Sequence, residues 1–423
     1  MLTNRFLIRI RDKVEDKGLI YTLWHGVKKL LSPQTLLIVY PLAFVLCLVV
    51  RIIKPLLFIR FGSLYCEKIG PFAAQTELYL CEKEHGNQPG NTLDIFYSGM
   101  EGFKCCNYQL LKMWKRLFVF NETSKYLYRV MVKLPFGKDH IIKTTNDSRD
   151  IHGLLEKSDV HLEFLPEEIT QAKLELSRIG IGKGDKYVLM INRGQRYLDT
   201  ILPGHDEDLS CHTHRNCSIN DFMPMAEMLT SKGNYVIRVG HLVSDLMETE
   251  NPKIIEYDED GFRTELLDIY LGANCRYLVG SDTGYFGVPG WIFHRPVIYV
   301  NFSEFEYLQP WLSSWLLIFR KYWLKSEKRF MTVREIIESG AGRLKRTKEI
   351  ENMGIEKVVN TPEEICDVVD EMEKRLAGSW QDNVEDDELQ RRFWSYFKSS
   401  ALRGVIRGRI GSKFLRDNRE LLC

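Results

Sequence analysis

Ser281, Asp282, Thr283 and Gly284 stand where an apolar, strand-like run stops and a helical one begins, within YLVGSDTGYFGVPGWIFHRPVIYVNF from Tyr277 to Phe302. Hydroxyls and a glycine at such a junction suit a diphosphate. The glycine admits close backbone approach, the hydroxyls donate to phosphate oxygens, and a helix N-terminus supplies unpaired N–H groups with a positive partial charge. Asp282 would repel a phosphate, so its expected role is to orient the loop. The competing reading makes Asp282 or Thr283 a plain helix N-cap. A second concentration of chemistry lies in LPGHDEDLSCHTHRNCSIN, a polar stretch between a strand-like and a helix-like run and hence at the same sheet edge. There Arg215, with Arg193 just upstream, is the natural bidentate partner for a departing nucleotide diphosphate, and His214 and Asn216 flank it as further binding groups. A surface ion pair is the alternative for either arginine.

Metal chemistry is the rival for this loop. His205, His212 and His214 with Asp206 and Asp208 have zinc-ligand character, and Asp206–Glu207–Asp208 formally matches a D-x-D signature. With 27% charged residues such a triplet arises easily by chance, and the spacing fixes neither ligand count nor geometry. The expectation is a site without metal or other cofactor. For a base that takes a proton from an acceptor hydroxyl, Glu77 in QTELYL and His85 are the candidates. Glu77 reads equally well as a solvated helix residue.

These residues need a scaffold, and the chain alternates strand-like and helix-like stretches as α/β layers do. Strands are expected at 55–61, 93–97 and 117–120, with helices near 63–84, 107–115 and 124–132 between them. A second, clearer series runs through strands 187–192, 235–239, 254–257, 276–279 and 297–300, with helices near 220–231, 262–271 and 284–293. Short β–α–β spacings favour a parallel sheet with right-handed crossovers. The expected organisation is a membrane-associated segment over 1–54, a Rossmann-like acceptor domain over 55–165, a Rossmann-like nucleotide domain over 166–360, and C-terminal helices over 361–423 that pack back. Thr361, Pro362 and Glu364 give the last part a capping-box start.

At 423 residues with 44% hydrophobic content the chain has material for two cores. Its 58 basic and 57 acidic residues create no global field for nucleic acid, which is excluded as an expected partner. Ten cysteines without a CxxC spacing favour reduced thiols over a disulfide framework. The N-terminus is basic and amphipathic, with seven basic residues among the first 29, and a charge-free run follows from Leu30 to Val50. Pro33 and Pro41 dilute that run, so a monotopic or re-entrant anchor bent at Pro41 is expected, with a buried core hairpin as the alternative. The positive-inside tendency then places the chain peripherally on the cytoplasmic face of the inner membrane.

The segment GSDTGYFGVPGWIFHRPVIYV resembles the nucleotide-sugar diphosphate segment of GT-B glycosyltransferases, in particular the D-[ST]-G-x-x-H pattern of heptosyltransferases. Asp282, Thr283, Gly284 and Pro296 match, while Gly287 replaces the pattern's histidine. Over most of residues 60–415 the chain also resembles a bacterial family classed as glycosyltransferases and encoded among surface-polysaccharide genes. The runs KIGPFAAQTELYLCE, DIFYSG, YLDTILPG, HTHRNCSINDFMPMAEMLTSKGNYVIRVG and GRIGSKFL carry the likeness. Its R-N-S-[DN]-I-x-x-Y pattern stands here as Arg215, Asn216, Cys217, Ser218 and Ile219 with Phe222 for the tyrosine, and Gly194 replaces an aspartate of its V-R-D strand end. The resemblance implies a GT-B-like fold and transfer of a sugar from a nucleotide-sugar donor to a cell-surface polysaccharide or lipid-linked glycan acceptor. A nucleotide-sugar epimerase of the same architecture and a non-catalytic membrane-associated binding protein are the alternatives.

Overall fold

In the computed structural model, residues 33–99, 105–143, 148–194, 213–240, 247–258, 261–398 and 402–423 are described. The basic stretch 4–31 and the residues His205, Asp206, Asp208 and His212 lie outside them. In chain order the elements are α1 (Pro33–Ile53), β1 (Phe58–Leu64), α2 (Ile69–Glu84), β2 (Thr92–Ser98), α3 (Tyr108–Trp114), β3 (Val119–Phe120), α4 (Ser124–Met131), α5 (Pro166–Arg178) and β4 (Tyr187–Ile191). After these come α6 (Met223–Ser231), β5 (Tyr235–Arg238), β6 (Ile254–Glu256), α7 (Glu265–Asn274), β7 (Leu278–Gly280), β8 (Val297–Phe302) and β9 (Leu316–Phe319). The chain ends through β10 (Lys321–Leu324), β11 (Arg329–Phe330), α8 (Val333–Glu338), α9 (Thr347–Asn352), β12 (Ile355–Val358), α10 (Pro362–Leu376), α11 (Val384–Ser395), β13 (Arg409–Ile410) and α12 (Ser412–Asp417). The fold is mixed α/β.

Contacts group the chain into two units assembled from interleaved segments. The smaller takes residues up to Ser63 with Asn91–Gly99 and Phe118–Lys143; the larger takes Leu64–Gly90, Met100–Leu117 and Thr144–Cys423. Helices α2 and α3 therefore belong to the larger unit, although in sequence they lie between strands of the smaller one.

The smaller unit is a three-stranded sheet, β1-β2-β3, with β2 and β3 parallel. Cys47 and Val50 of α1 pack with Phe61 of β1 and Met131 of α4. Helix α1 runs through Pro41 instead of bending out of helix there. It buries only one narrow stripe, Ala43, Cys47 and Val50, at spacings of four and three. Leu37, Ile38, Leu42, Val45 and Ile52 remain more than half exposed. Among the described residues no helix is long and apolar enough to cross a membrane. Beneath the sheet Arg60 and Asp94 form a bidentate pair, Nε to Oδ1 at 2.8 Å and Nη2 to Oδ2 at 3.1 Å, with both side chains almost fully buried.

The larger unit holds a seven-stranded sheet in the order β13-β9-β8-β7-β4-β5-β6, parallel at every pairing. All five residues of β4 and all six of β8 are buried, as strands covered on both faces must be. The chain proceeds outward from β4 to β5 and β6, then returns to the other flank of β4 with β7 and continues to β8 and β9. The order thus reverses between β4 and β7. At such a reversal the crossover connections leave in opposite directions and open a crevice beyond the carboxyl ends of the two strands. The capping box at α10 forms as its spacing predicts, Thr361 Oγ1 accepting from the Glu364 N–H and the Glu364 carboxylate from the Thr361 N–H. Downstream, β13 joins the sheet edge beside β9, and Phe393 of α11 stacks on Phe319 at 5.5 Å.

Replacing Asp94 by Ala leaves the Arg60 guanidinium buried without its carboxylate. A loss of about 3–5 kcal/mol is expected, read as a lowered urea midpoint, whereas breaking a surface pair such as Lys54 with Asp139 should leave the midpoint nearly unmoved.

Candidate functional site

The loops that follow β4 and β7 meet at the switch point. Ser281 directly continues β7; its N–H donates to the Ile191 carbonyl at 3.0 Å, and its fully buried hydroxyl accepts from the Arg193 N–H at 2.7 Å. The Cys217 N–H in turn donates to the Arg193 carbonyl at 3.2 Å, and Asn192 Nδ2 donates to the Cys217 carbonyl at 3.0 Å. The returning end of the polar loop is thus sewn to the end of β4. Arg193, His214, Arg215 and Asn216 come together with Ser281–Gly284, although up to 91 positions separate them in sequence.

Arg215 is already engaged. Its Nη2 donates to the Asp282 carboxylate at 2.8 Å and to the Asp282 carbonyl at 3.0 Å, and Nη1 lies 3.4 Å from Glu304 Oε1. Burial opposes its charge, but Asp282 and Glu304 outweigh that and hold its pKa above the ordinary arginine value. Asp282 and Arg215 thus hold each other at the turn. Thr283 Oγ1 and Arg215 Nε are buried without a hydrogen-bond partner among the described residues. His214 is held through Thr347, whose hydroxyl lies 3.2 Å from the His214 nitrogen and 3.1 Å from Nδ1.

Two helix starts converge on this point. After Thr283 the chain enters a 3₁₀ turn, Gly284–Gly287, and then a π turn, Val288–Ile292, in place of the regular helix expected over 284–293. The sixteen-residue α2 begins beside it. A Cβ on Gly284 would stand 2.9 Å from the Gly70 nitrogen, and one on Gly70 would stand 2.9 Å from Gly284 Cα, so the two backbones touch where no side chain fits. Neither Lys68, the N-cap of α2, nor Thr283 makes a side-chain cap, and the first turn of α2 carries no acidic residue. The early N–H groups of both helices therefore face the same corner without a side-chain acceptor from their caps.

Glu77 and His85 are not brought to this corner. Glu77 lies seven residues beyond Gly70 on α2, roughly 10 Å of helix rise, and His85 roughly 22 Å. Glu77 is fully buried, with Oε1 2.6 Å from His161 Nδ1, and His85 Nε2 rests 3.1 Å from Ser158 Oγ. Burial raises the Glu77 pKa, which His161 partly offsets.

Three contributors carried no motif. Arg320, almost fully buried, donates from Nη1 to the His214 carbonyl at 2.7 Å and from Nη2 to those of Arg215 and Asn216 at 3.0 and 2.7 Å. Glu304 lies two residues past β8, and Gly70 lies in KIGPF. Only Gly70 left a trace, as a glycine before a proline at a helix start. Behind the loop, Lys357 donates to the Ser303 carbonyl at 2.7 Å, and burial pushes its pKa down to about 7.

The fold bears a likeness to a glycosyl transferase family 9 structure from Veillonella parvula DSM 2008, at 13% identity and a TM-score of 0.43 over 76% of this chain and 98% of that one. E. coli ADP-heptose LPS heptosyltransferase II is similar at 10% identity and a TM-score of 0.38 over 62% of this chain and 90% of that one. No family model and no curated protein matches the chain.

Lys357 supplies a test of the electrostatics. With a folded pKa of about 7 against an ordinary 10.5, the unfolded chain binds the extra proton between those values. Stability from this group is therefore present above pH 10.5 and is lost as pH falls through about 7. Lys357→Met should raise the urea midpoint, relative to wild type, more near pH 7 than near pH 10; an equal effect at both would show that Lys357 keeps its proton when folded.

Proposed function

We propose that the chain is a GT-B-like glycosyltransferase that binds the diphosphate of a nucleotide-sugar donor at the β4–β7 switch point and passes the sugar to a cell-surface polysaccharide or lipid-linked glycan acceptor. One observation carries the reading: at the reversal of a wholly parallel sheet, the D-T-G turn after β7 meets the Gly70–Gly284 backbone contact and the arginine-bearing loop after β4. Two helix starts without side-chain caps and a Thr283 hydroxyl with no partner among the described residues present donors where a diphosphate oxygen would sit. Arg215 holds Asp282 away from the anion, and the helix N–H groups with the Thr283 hydroxyl supply the attraction. With donors supplied by protein groups, the proposed binding needs no divalent ion.

Nucleotide sugars are cytoplasmic metabolites, so the proposed place of action is the cytoplasmic face of the inner membrane. The exposed apolar side of α1 supports a peripheral, in-plane association, with the basic residues of the first 29 drawn to anionic headgroups.

Arg215→Ala should weaken binding of a nucleoside-diphosphate sugar, measured calorimetrically in excess EDTA, by on the order of 1–3 kcal/mol. Gly284→Val, which cannot be accommodated against Gly70, should weaken it at least as much. Unchanged affinity in both folded variants would remove the donor site from this corner, and binding that appears only with magnesium or manganese would overturn the metal-free reading.

Ile38→Lys combined with Val45→Lys alters exposed positions of α1 and spares Cys47 and Val50. Co-sedimentation with anionic vesicles should fall several-fold. Undiminished sedimentation would show that α1 does not carry membrane association.

A further inference from the structure

Away from the diphosphate corner, the far part of α2 carries an arrangement that the proposed reaction does not use. Glu77 and Cys81 stand one helical turn apart on one face, both fully buried, and His161 approaches them from the segment before α5. One ligand-type atom from each of the three lies within 4.8 Å of the other two. Cys81 Sγ is 3.9 Å from Glu77 Oε1, and His161 Nδ1 is 2.6 Å from the same oxygen. The second nitrogen of the ring, Nε2, faces Glu84 Oε2 at 3.4 Å, about one turn beyond Cys81 along the helix.

We propose that Glu77, Cys81 and His161 form a zinc-type divalent-cation site, with Glu84 as the carboxylate that orients the imidazole. The reasoning begins with an oxygen. Glu77 Oε2 is buried and has no hydrogen-bond partner among the described residues. A carboxyl with one oxygen fully desolvated and unmatched is costly in either protonation state, and a cation bound by the carboxylate, with release of any carboxyl proton to solvent, removes that cost. The donor set of one carboxylate, one thiolate and one imidazole suits zinc. Zinc–ligand distances of about 2.0–2.3 Å in a tetrahedron place ligand atoms roughly 3.3–3.7 Å apart. The Glu77–His161 contact must then open by less than about 1 Å, and the Cys81–Glu77 separation need only close slightly. Nε2–H directed at Glu84 leaves the Nδ1 lone pair for the metal, the carboxylate–histidine–metal relation by which an outer carboxylate commonly orients the ring. Binding releases the Cys81 thiol proton to solvent as the sulfur becomes a thiolate ligand.

Three protein ligands leave a fourth position, which water can fill. The site would tie α2, whose first turn forms part of the diphosphate corner, to the segment 148–165. Its role is structural: Glu77 is too far along α2 to touch a group at Gly70.

The test uses the full chain. Protein purified without chelator should carry about one zinc per chain by elemental analysis. After stripping and dialysis, zinc chloride should raise the melting midpoint by several degrees, as a ligand of the folded state must. Cobalt(II) should give the intense near-ultraviolet band of a thiolate–cobalt bond, and Cys81→Ser should abolish that band while His161→Gln weakens metal retention at least tenfold. Cys275→Ser, a buried cysteine away from the cluster, should leave both readouts intact and so controls for a fold that merely loosens. Zinc below one tenth of the chain concentration with an unmoved melting midpoint would overturn the site, and so would a thiolate–cobalt band that survives in Cys81→Ser.

Discussion

A buried guanidinium holds this site together. Arg320 directs its donors at four backbone carbonyls, those of Asn301, His214, Arg215 and Asn216, and among the described residues no carboxylate pairs with it. Carbonyls returning from a long polar loop would otherwise be buried without donors, at a cost of a few kcal/mol each. One side chain at the end of β9 therefore satisfies the backbone of the 214–216 turn and fixes the direction in which Arg215 leaves it. The cost falls on Arg320, whose pKa burial lowers. Such a cation is tolerable only because its fork geometry meets several dipoles at once.

The position of that turn follows from topology. Parallel strands joined by right-handed crossovers bring all their carboxyl ends to one side of the sheet, and the order changes hand only between β4 and β7. The two loops issuing there are the two that carry dense polar chemistry. Gly280 shows how tight the packing is, since a Cβ on it would stand 2.1 Å from the Ile191 carbonyl. That glycine lets β7 lie against β4 to its last residue, which places Ser281 where it can accept the Arg193 N–H.

Much of the sheet could be read from sequence because buried parallel strands are short, continuous apolar runs, and those at 187–191, 235–238 and 297–302 stand within a residue or two of their expected limits. The D-T-G turn and the arginine loop were legible for a related reason, since polar residues between apolar runs have to lie at strand ends. Arg320 and Glu304 were not, and Gly70 showed only as a glycine before a proline at a helix start. Each acts through a partner distant in sequence, and nothing local separates Arg320 from an ordinary arginine at the end of a strand. The assignment of α2 and α3 to the larger unit was equally hidden, because sequence order placed them among strands with which they do not cluster. Helix α1 shows the converse. Its composition marked it as apolar, yet only packing reveals that one stripe of it is core and most of the rest is surface.

The charge pattern around Arg215 constrains how an anion could be received there. Asp282 and Glu304 together match more than the single charge of Arg215, so the guanidinium by itself offers no surplus to a diphosphate. The two contacts are unequal, however. Asp282 is held through its carboxylate and its own carbonyl at 2.8 and 3.0 Å, whereas Glu304 stands at 3.4 Å through one oxygen. Were a phosphate oxygen to arrive at the proposed Gly70–Gly284 corner, it would compete with Glu304 first and leave the Asp282 latch intact. Such an exchange would keep the turn in place while Arg215 changed partner, with the helix N–H groups and the Thr283 hydroxyl offsetting the lost ion pair.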